Sequence, residues 1–280
     1  MRGAARLPSP GIGWLALPAC AVAALLFALP LLLLLAVSLH GDGGWTLRGY
    51  ARFLGAAYSW QVIGRTLALA FWTTLICLAL GYPAAFALAR TRGAVQSLLI
   101  AALLLPLSLS VIVKAFGWTV LLRGNGVVNR LLMASGLTDA PLRLLFTEAG
   151  LLIGITNIFL PFMILPIFTV VRQIDPRLGD AATTLGGGPW HNFVRVTLPL
   201  TLPGVVAGVT LVFSLSIAAY VIPNLLMGDR YQTLSTTIAT AFLYLQDPQR
   251  GSVAGVVLLA LSLAVVVGSA WLARRARATP

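Results

Sequence analysis

Residues 172–203 read RQIDPRLGDAATTLGGGPWHNFVRVTLPLTLP, a polar stretch set between two strongly apolar runs. Asp175-Pro176 reads as a helix start. Aspartate accepts backbone N–H groups as an N-cap, and proline in the first helical position lacks only a donor that would be unpaired anyway. Leu178, Ala181, Ala182 and Leu185 follow as an apolar stripe at helical spacing. Gly186, Gly187 and Gly188 then stop the helix, because glycine accepts the left-handed backbone of a sharp reversal. Pro189 opens a second short helix carrying Trp190, Phe193 and Val194, and Pro199 and Pro203 are expected to break the chain before the next apolar run. The expected product is a helix–turn–helix lying across the ends of two membrane spans, with an apolar face that needs a partner.

The surroundings of this stretch are membrane-like. Of 280 residues, 59% are hydrophobic and 9% charged, against roughly 25% charged in soluble domains. Six runs carry no charge at all: 14–39, 66–89, 95–113, 151–171, 201–222 and 253–273. The shortest, 95–113, would rise about 28 Å as a helix, enough for the hydrocarbon core. The expected fold is therefore an all-α membrane protein of six transmembrane helices, with the polar stretch joining helices four and five. Residues 1–13 precede the spans, 14–273 form one transmembrane domain with its loop at 172–200, and 274–280 are a basic tail. The first run exceeds the roughly 7–15 apolar residues of a signal peptide and is kept as a span.

The formal charge of +12 comes from 18 arginines and Lys114 set against seven acids. These cations lie at the ends of apolar runs, which points to juxtamembrane anchoring on lipid rather than to nucleic acid. With the N-terminus inside, the inner segments hold ten basic residues and the longer outer loops nine. Outer segments 40–64 and 114–150 mix aromatics with arginines, and two compatible readings stand: helices lying at the interface, or a platform for a soluble partner. Cys20 and Cys77 both fall in apolar runs and read as small core residues.

No apolar run contains Asp, Glu, Lys, Arg or His. An ion-coupled carrier normally buries such a group, so that class of transporter is disfavoured though it stands as an alternative. A membrane-embedded enzyme would need a cluster of acids, bases or nucleophiles, and a Walker motif is also missing from the sequence. The expectation is a non-catalytic chain without cofactor or metal. For a solute pathway there remain mild polar groups: Asn157, Ser214, Ser216 and Tyr220 are the candidates. Membrane hydroxyls commonly bond the backbone four residues back, which is the structural reading of each serine. Asn157 carries an amide that needs partners and is expected to face the bundle interior. Gly150/Gly154 and Gly204/Gly208 permit close packing, within the bundle or across a dimer.

The spacing Asp180-Ala181-Ala182, three residues, Gly186, nine residues, Val196, one residue, Leu198-Pro199 resembles a family signature. It is the cytoplasmic loop of permease subunits in binding-protein-dependent ABC importers, E-A-A-x3-G-x9-I-x-L-P, with Asp for Glu and Val for Ile. LRGYARFL (47–54), GYPAAFALAR (81–90), KAFGWTVLLRGNGVVNRLL (114–132) and LPFMILPIF (160–168) further resemble the spermidine/putrescine-type permeases, so the likeness covers nearly the whole chain. The resemblance implies a type I ABC importer permease fold, in which these loop residues couple to a separate ATPase dimer. It also implies a second permease subunit in a heterodimer, a periplasmic solute-binding protein, and the bacterial inner membrane with both termini cytoplasmic. One departure bears on cargo. Many such polyamine permeases carry an acid where this chain reads Ala218-Ala219-Tyr220. A polyamine leads, and aminoethylphosphonate, an opine or an amino-acid-like solute stays open.

Overall fold

The computed structural model describes residues 11–41, 44–175, 177–184 and 186–278, with side chains left out at 11–17, 19, 179–182 and 272–278. In hydrocarbon each backbone N–H and C=O must be paired within the chain, so the apolar runs close into helices. Five are long and apolar enough to cross a membrane. They are α1 (Gly11–Leu39), α3 (Ala57–Arg90), α7 (Glu148–Val171), the run Pro189–Ala218 that ends in α10 (Leu198–Ala218), and α13 (Pro248–Ala278).

The third expected span, 95–113, is not one helix. α4 (Gly93–Ser108) and α5 (Val111–Leu121) meet at 100°. Leu109 is extended (φ −81°, ψ 141°), and the Ser110 hydroxyl accepts the Ile112 N–H at 3.3 Å, capping α5. A break made by an extended leucine and a serine cap adds no charge, so counting charge-free residues passes straight through it. α3 departs the other way. It begins at Ala57 rather than 66 and carries Arg65 in its first turns.

α3, α7 and α10 form the main core, centred on Ile155, Met163 and Ile167 of α7, all fully buried. Small residues let the backbones touch. A Cβ on Gly204 of α10 would lie 2.9 Å from the Pro166 carbonyl oxygen, and one on Gly154 would lie 3.1 Å from Leu226 Cδ2. Both glycine pairs are thus spent on packing inside this chain. A second apolar cluster (Phe53, Val62, Ile63, Leu234, Val253, Ala254) ties α2 (Arg48–Gly55) and α12 (Leu234–Leu243) to α3 and α13. α1 packs along α13, where Leu34 meets Gly255. Its other faces are open, which leaves Cys20 exposed, while Cys77 lies in the core as expected.

Cross-links fix which helix ends meet. The Tyr82 and Thr201 hydroxyls lie 3.0 Å apart, joining the end of α3 to the start of α10. At the opposite end, Leu234 donates its N–H to Thr66 Oγ1 at 2.9 Å. The segment between α5 and α7 at that end contains α6 (Val127–Ala134) and is closed by Asn129. Its Nδ2 donates to the carbonyls of Arg123 (3.1 Å) and Leu142 (2.9 Å), and its Oδ1 accepts the Leu142 N–H at 2.8 Å. The 40–64 and 114–150 segments do contain short helices, α2, α5 and α6.

Candidate functional site: a helical elbow and an open groove

The 172–203 stretch folds into an elbow at one end of the bundle. Asp175 Oδ1 accepts the Arg177 N–H at 2.9 Å, so its carboxylate caps α8 (Arg177–Thr184). Gly186 takes φ +83° and donates its N–H to the Thr183 carbonyl at 3.0 Å, turning the chain in the left-handed conformation expected of it. α9 (Pro189–Asn192) follows. Asp180, Ala181 and Ala182 lie on α8, but their side chains are outside the described residues, as are Pro176 and Leu185.

Pro199 and Pro203 do not break the chain. A π-helical turn, Phe193–Thr197, runs from α9 directly into α10. Leu198 donates to the carbonyl of Phe193, five residues back. Pro199 then falls in the first turn of α10, where a missing N–H costs little. The wider turn absorbs what a strict α-helix could not. Val196 and Leu198 of the signature are half-buried, whereas Gly186 and Pro199 are exposed.

Aromatic contacts hold the elbow to the bundle. Phe193 meets the Tyr82 ring edge-on at 6.1 Å and stacks on Trp190 at 5.8 Å. Tyr82, Phe86, Arg90 and Phe193 line a 610 Å³ cavity beneath. The role of Tyr82 was missed by sequence reading. An aromatic pair four residues apart at the end of a span was the available signal. Beyond this seam most described side chains of the elbow are exposed. Trp190 is 75% exposed and Leu178 45%.

The pathway candidates separate. Ser216 Oγ donates to the Val212 carbonyl at 2.7 Å, which is the structural reading of a buried serine. The half-buried Ser214 hydroxyl has no partner among the described residues, and Tyr220 Oη accepts a long 3.5 Å contact from Asn224 Nδ2. Asn157 does not face the bundle interior. It is exposed on a groove between α3 and α7, where its Oδ1 accepts the Trp118 indole N–H at 3.3 Å. Helix α5 brings Trp118 there because the break at Leu109 turns it across the bundle. The groove holds 470 Å³ and is lined by Ile76, Leu80, Trp118, Leu152, Thr156 and Asn157, among others. Ser214, Ser216 and Tyr220 do not line it.

Leu152 also lines a 230 Å³ cavity toward the end opposite the elbow, together with Arg65, Trp72, Glu148 and Tyr231. The Arg65 guanidinium sits 5.6 Å from the centre of the Tyr231 ring. Burial pushes the Tyr231 phenol up, the charge of Glu148 adds to this, and Arg65 opposes it.

An elbow outside a polytopic helical core, with a groove of mild polarity down one side, defines a membrane-embedded transport subunit. The chain belongs to the family of binding-protein-dependent transport system inner membrane components, whose model matches residues 81–278. It is 34% identical over 247 residues to the spermidine/putrescine transport system permease protein PotB of Haemophilus influenzae, covering 85% of this chain and 86% of that protein. Among solved structures it resembles a bacterial ABC transporter that imports the acidic polysaccharide alginate. The TM-score there is 0.78 at 18% identity, over 95% of this chain and 96% of that one. A bacterial alginate ABC transporter in complex with an alginate pentasaccharide-bound periplasmic protein gives a TM-score of 0.77 at 19% identity, over 94% of this chain and 93% of that one. The chain is thus a permease of the ABC-importer class and a multi-pass inner-membrane protein.

Proposed function

We propose that this permease forms half of the path for a polyamine such as spermidine or putrescine, and that residues 180–199 are its coupling element to a separate ATPase dimer. A second permease subunit supplies the other half, and a periplasmic binding protein delivers the solute. Both termini and the elbow are cytoplasmic. The observation that carries the coupling role is the exposed elbow, with Leu178 and Trp190 open beyond the core. An apolar patch held out at the end of a span, on two short helices fixed by Tyr82 and Phe193, suits insertion into a groove on another subunit. The groove bearing Asn157 and the spermidine/putrescine permease relatives support the cargo.

Trp190→Asp tests the coupling role. The variant should reach the membrane at the wild-type level, lose recovery of a subunit bearing GxxxxGK[ST] by roughly tenfold, and lose uptake with it. Unchanged recovery together with unchanged uptake would sink the coupling role.

A further inference from the structure

We propose that the α3–α7 groove is the cargo track of this subunit and that Glu148 is its entrance ligand for an ammonium group, a reading that rests on the amine cargo proposed above. The two cavities along α7 share Leu152. Glu148, Leu152, Thr156 and Leu160 recur every fourth residue, so one stripe of the helix runs through both. From Glu148 to Asn157 the helix rises about 13 Å.

Glu148 is spare. The helix it opens is already capped by Thr147, whose Oγ1 accepts the Gly150 N–H at 3.2 Å. Its carboxylate has neither a hydrogen bond nor an ion pair among the described residues, although Arg65 lines the same cavity. Arg65 is held instead over the Tyr231 ring, whose hydroxyl donates to the Arg65 carbonyl at 3.4 Å. The entrance therefore offers one unpaired carboxylate in a cavity that Trp72 also lines. An ammonium group satisfies the first and binds the face of the second.

The middle of the track is neutral but unsatisfied. Thr156 is 5% exposed, lines the groove, and its hydroxyl has no partner. Exposed Asn157 uses its oxygen for Trp118 and donates to nothing among the described residues. A buried hydroxyl left open in an apolar wall is costly, which points to a group that visits it. The Thr156 hydroxyl and the remaining lone pair of Asn157 Oδ1 hold an ammonium weakly, so a cation can enter and leave again. A carboxylate or phosphonate meeting Glu148 there would be repelled, with Arg65 in the same cavity offsetting part of this. An extended amine bearing more than one ammonium fits a charged entrance followed by a neutral station. Arg65 opposes it at the entrance and sets how tightly it is held.

The test uses the whole transporter, with both permeases, ATPase and binding protein, reconstituted in proteoliposomes and loaded with radiolabelled spermidine or putrescine. Glu148→Gln should lower the maximal rate of spermidine uptake about tenfold at equal reconstitution, and that of putrescine by less, because fewer charges are involved. ATP hydrolysis driven by the loaded binding protein should persist. Glu148→Asp should restore most of the uptake, Arg65→Gln should raise it, and Asn157→Leu should lower it with Glu148 intact. Wild-type rates in both Glu148→Gln and Asn157→Leu overturn the track while leaving the amine cargo standing. A wild-type transporter that imports neither amine overturns the cargo reading, and the track with it.

Discussion

Met163 of α7 packs directly on the backbone of Gly208 in α10: a Cβ on that glycine would lie 2.8 Å from the Met163 sulfur and 3.2 Å from its carbonyl oxygen. From the other side, a Cβ on Gly81 of α3 would lie 2.9 Å from Met163 Cγ. One fully buried side chain thus fills the space that two glycines leave open. The three central helices approach as closely as they do because neither glycine has a side chain. Gly208→Val should force them apart and cost about 1–3 kcal/mol by overpacking. Thermal unfolding in mild detergent would register it. The same valine at Gly268, where a Cβ meets nothing within 4 Å, should change little.

The turn of the elbow is set by the backbone alone. A Cβ on Gly186 meets nothing within 4 Å, yet φ is +83°. Substitution there is governed by conformation and not by space. Gly186→Val should cost about 1–2 kcal/mol locally, leave membrane insertion intact, and uncouple ATP hydrolysis from uptake. Gly186→Asn should retain more transport than Gly186→Ala, because asparagine tolerates the left-handed region. Uptake assays on the three variants at matched membrane levels give the order. Equal uptake in all three would remove the turn from the coupling argument.

Asn129 makes three hydrogen bonds from a fully buried position and holds the 123–142 segment closed. Asn129→Ala should cost about 2–4 kcal/mol, since it strands two carbonyls and an N–H. Asn129→Asp should be no better, because a carboxylate cannot donate to the Arg123 and Leu142 carbonyls. Protease sensitivity between α6 and α7 is the direct readout. It should rise in both variants while the helical content holds.

Local physics was legible in the residues themselves. Charge-free length gave the spans, because a helix closes its own hydrogen bonds wherever lipid offers none. Asp175 announced a cap and Gly186 a reversal, since each acts through its own backbone and nearest neighbours. The elbow followed from those two signals, down to the positive φ at Gly186. The bend within 95–113 was not legible, because Leu109 and Ser110 end a helix without adding a charge. The prolines at 199 and 203 were misread because a π turn upstream widens the helix ahead of them.

The chain order alone settled that this is a many-helix membrane protein with one polar elbow, for such features depend on residues a few positions apart. Tertiary structure alone decided which faces meet. It gave both small-residue pairs to packing inside the chain, turned Asn157 outward onto a groove, carried Trp118 to it from a bent helix, and set Arg65, Glu148 and Tyr231 around one cavity. Those contacts join residues dozens to well over a hundred positions apart. The rotation of each helix about its axis sets them. An apolar run that is hydrophobic on all sides leaves that rotation to its neighbours.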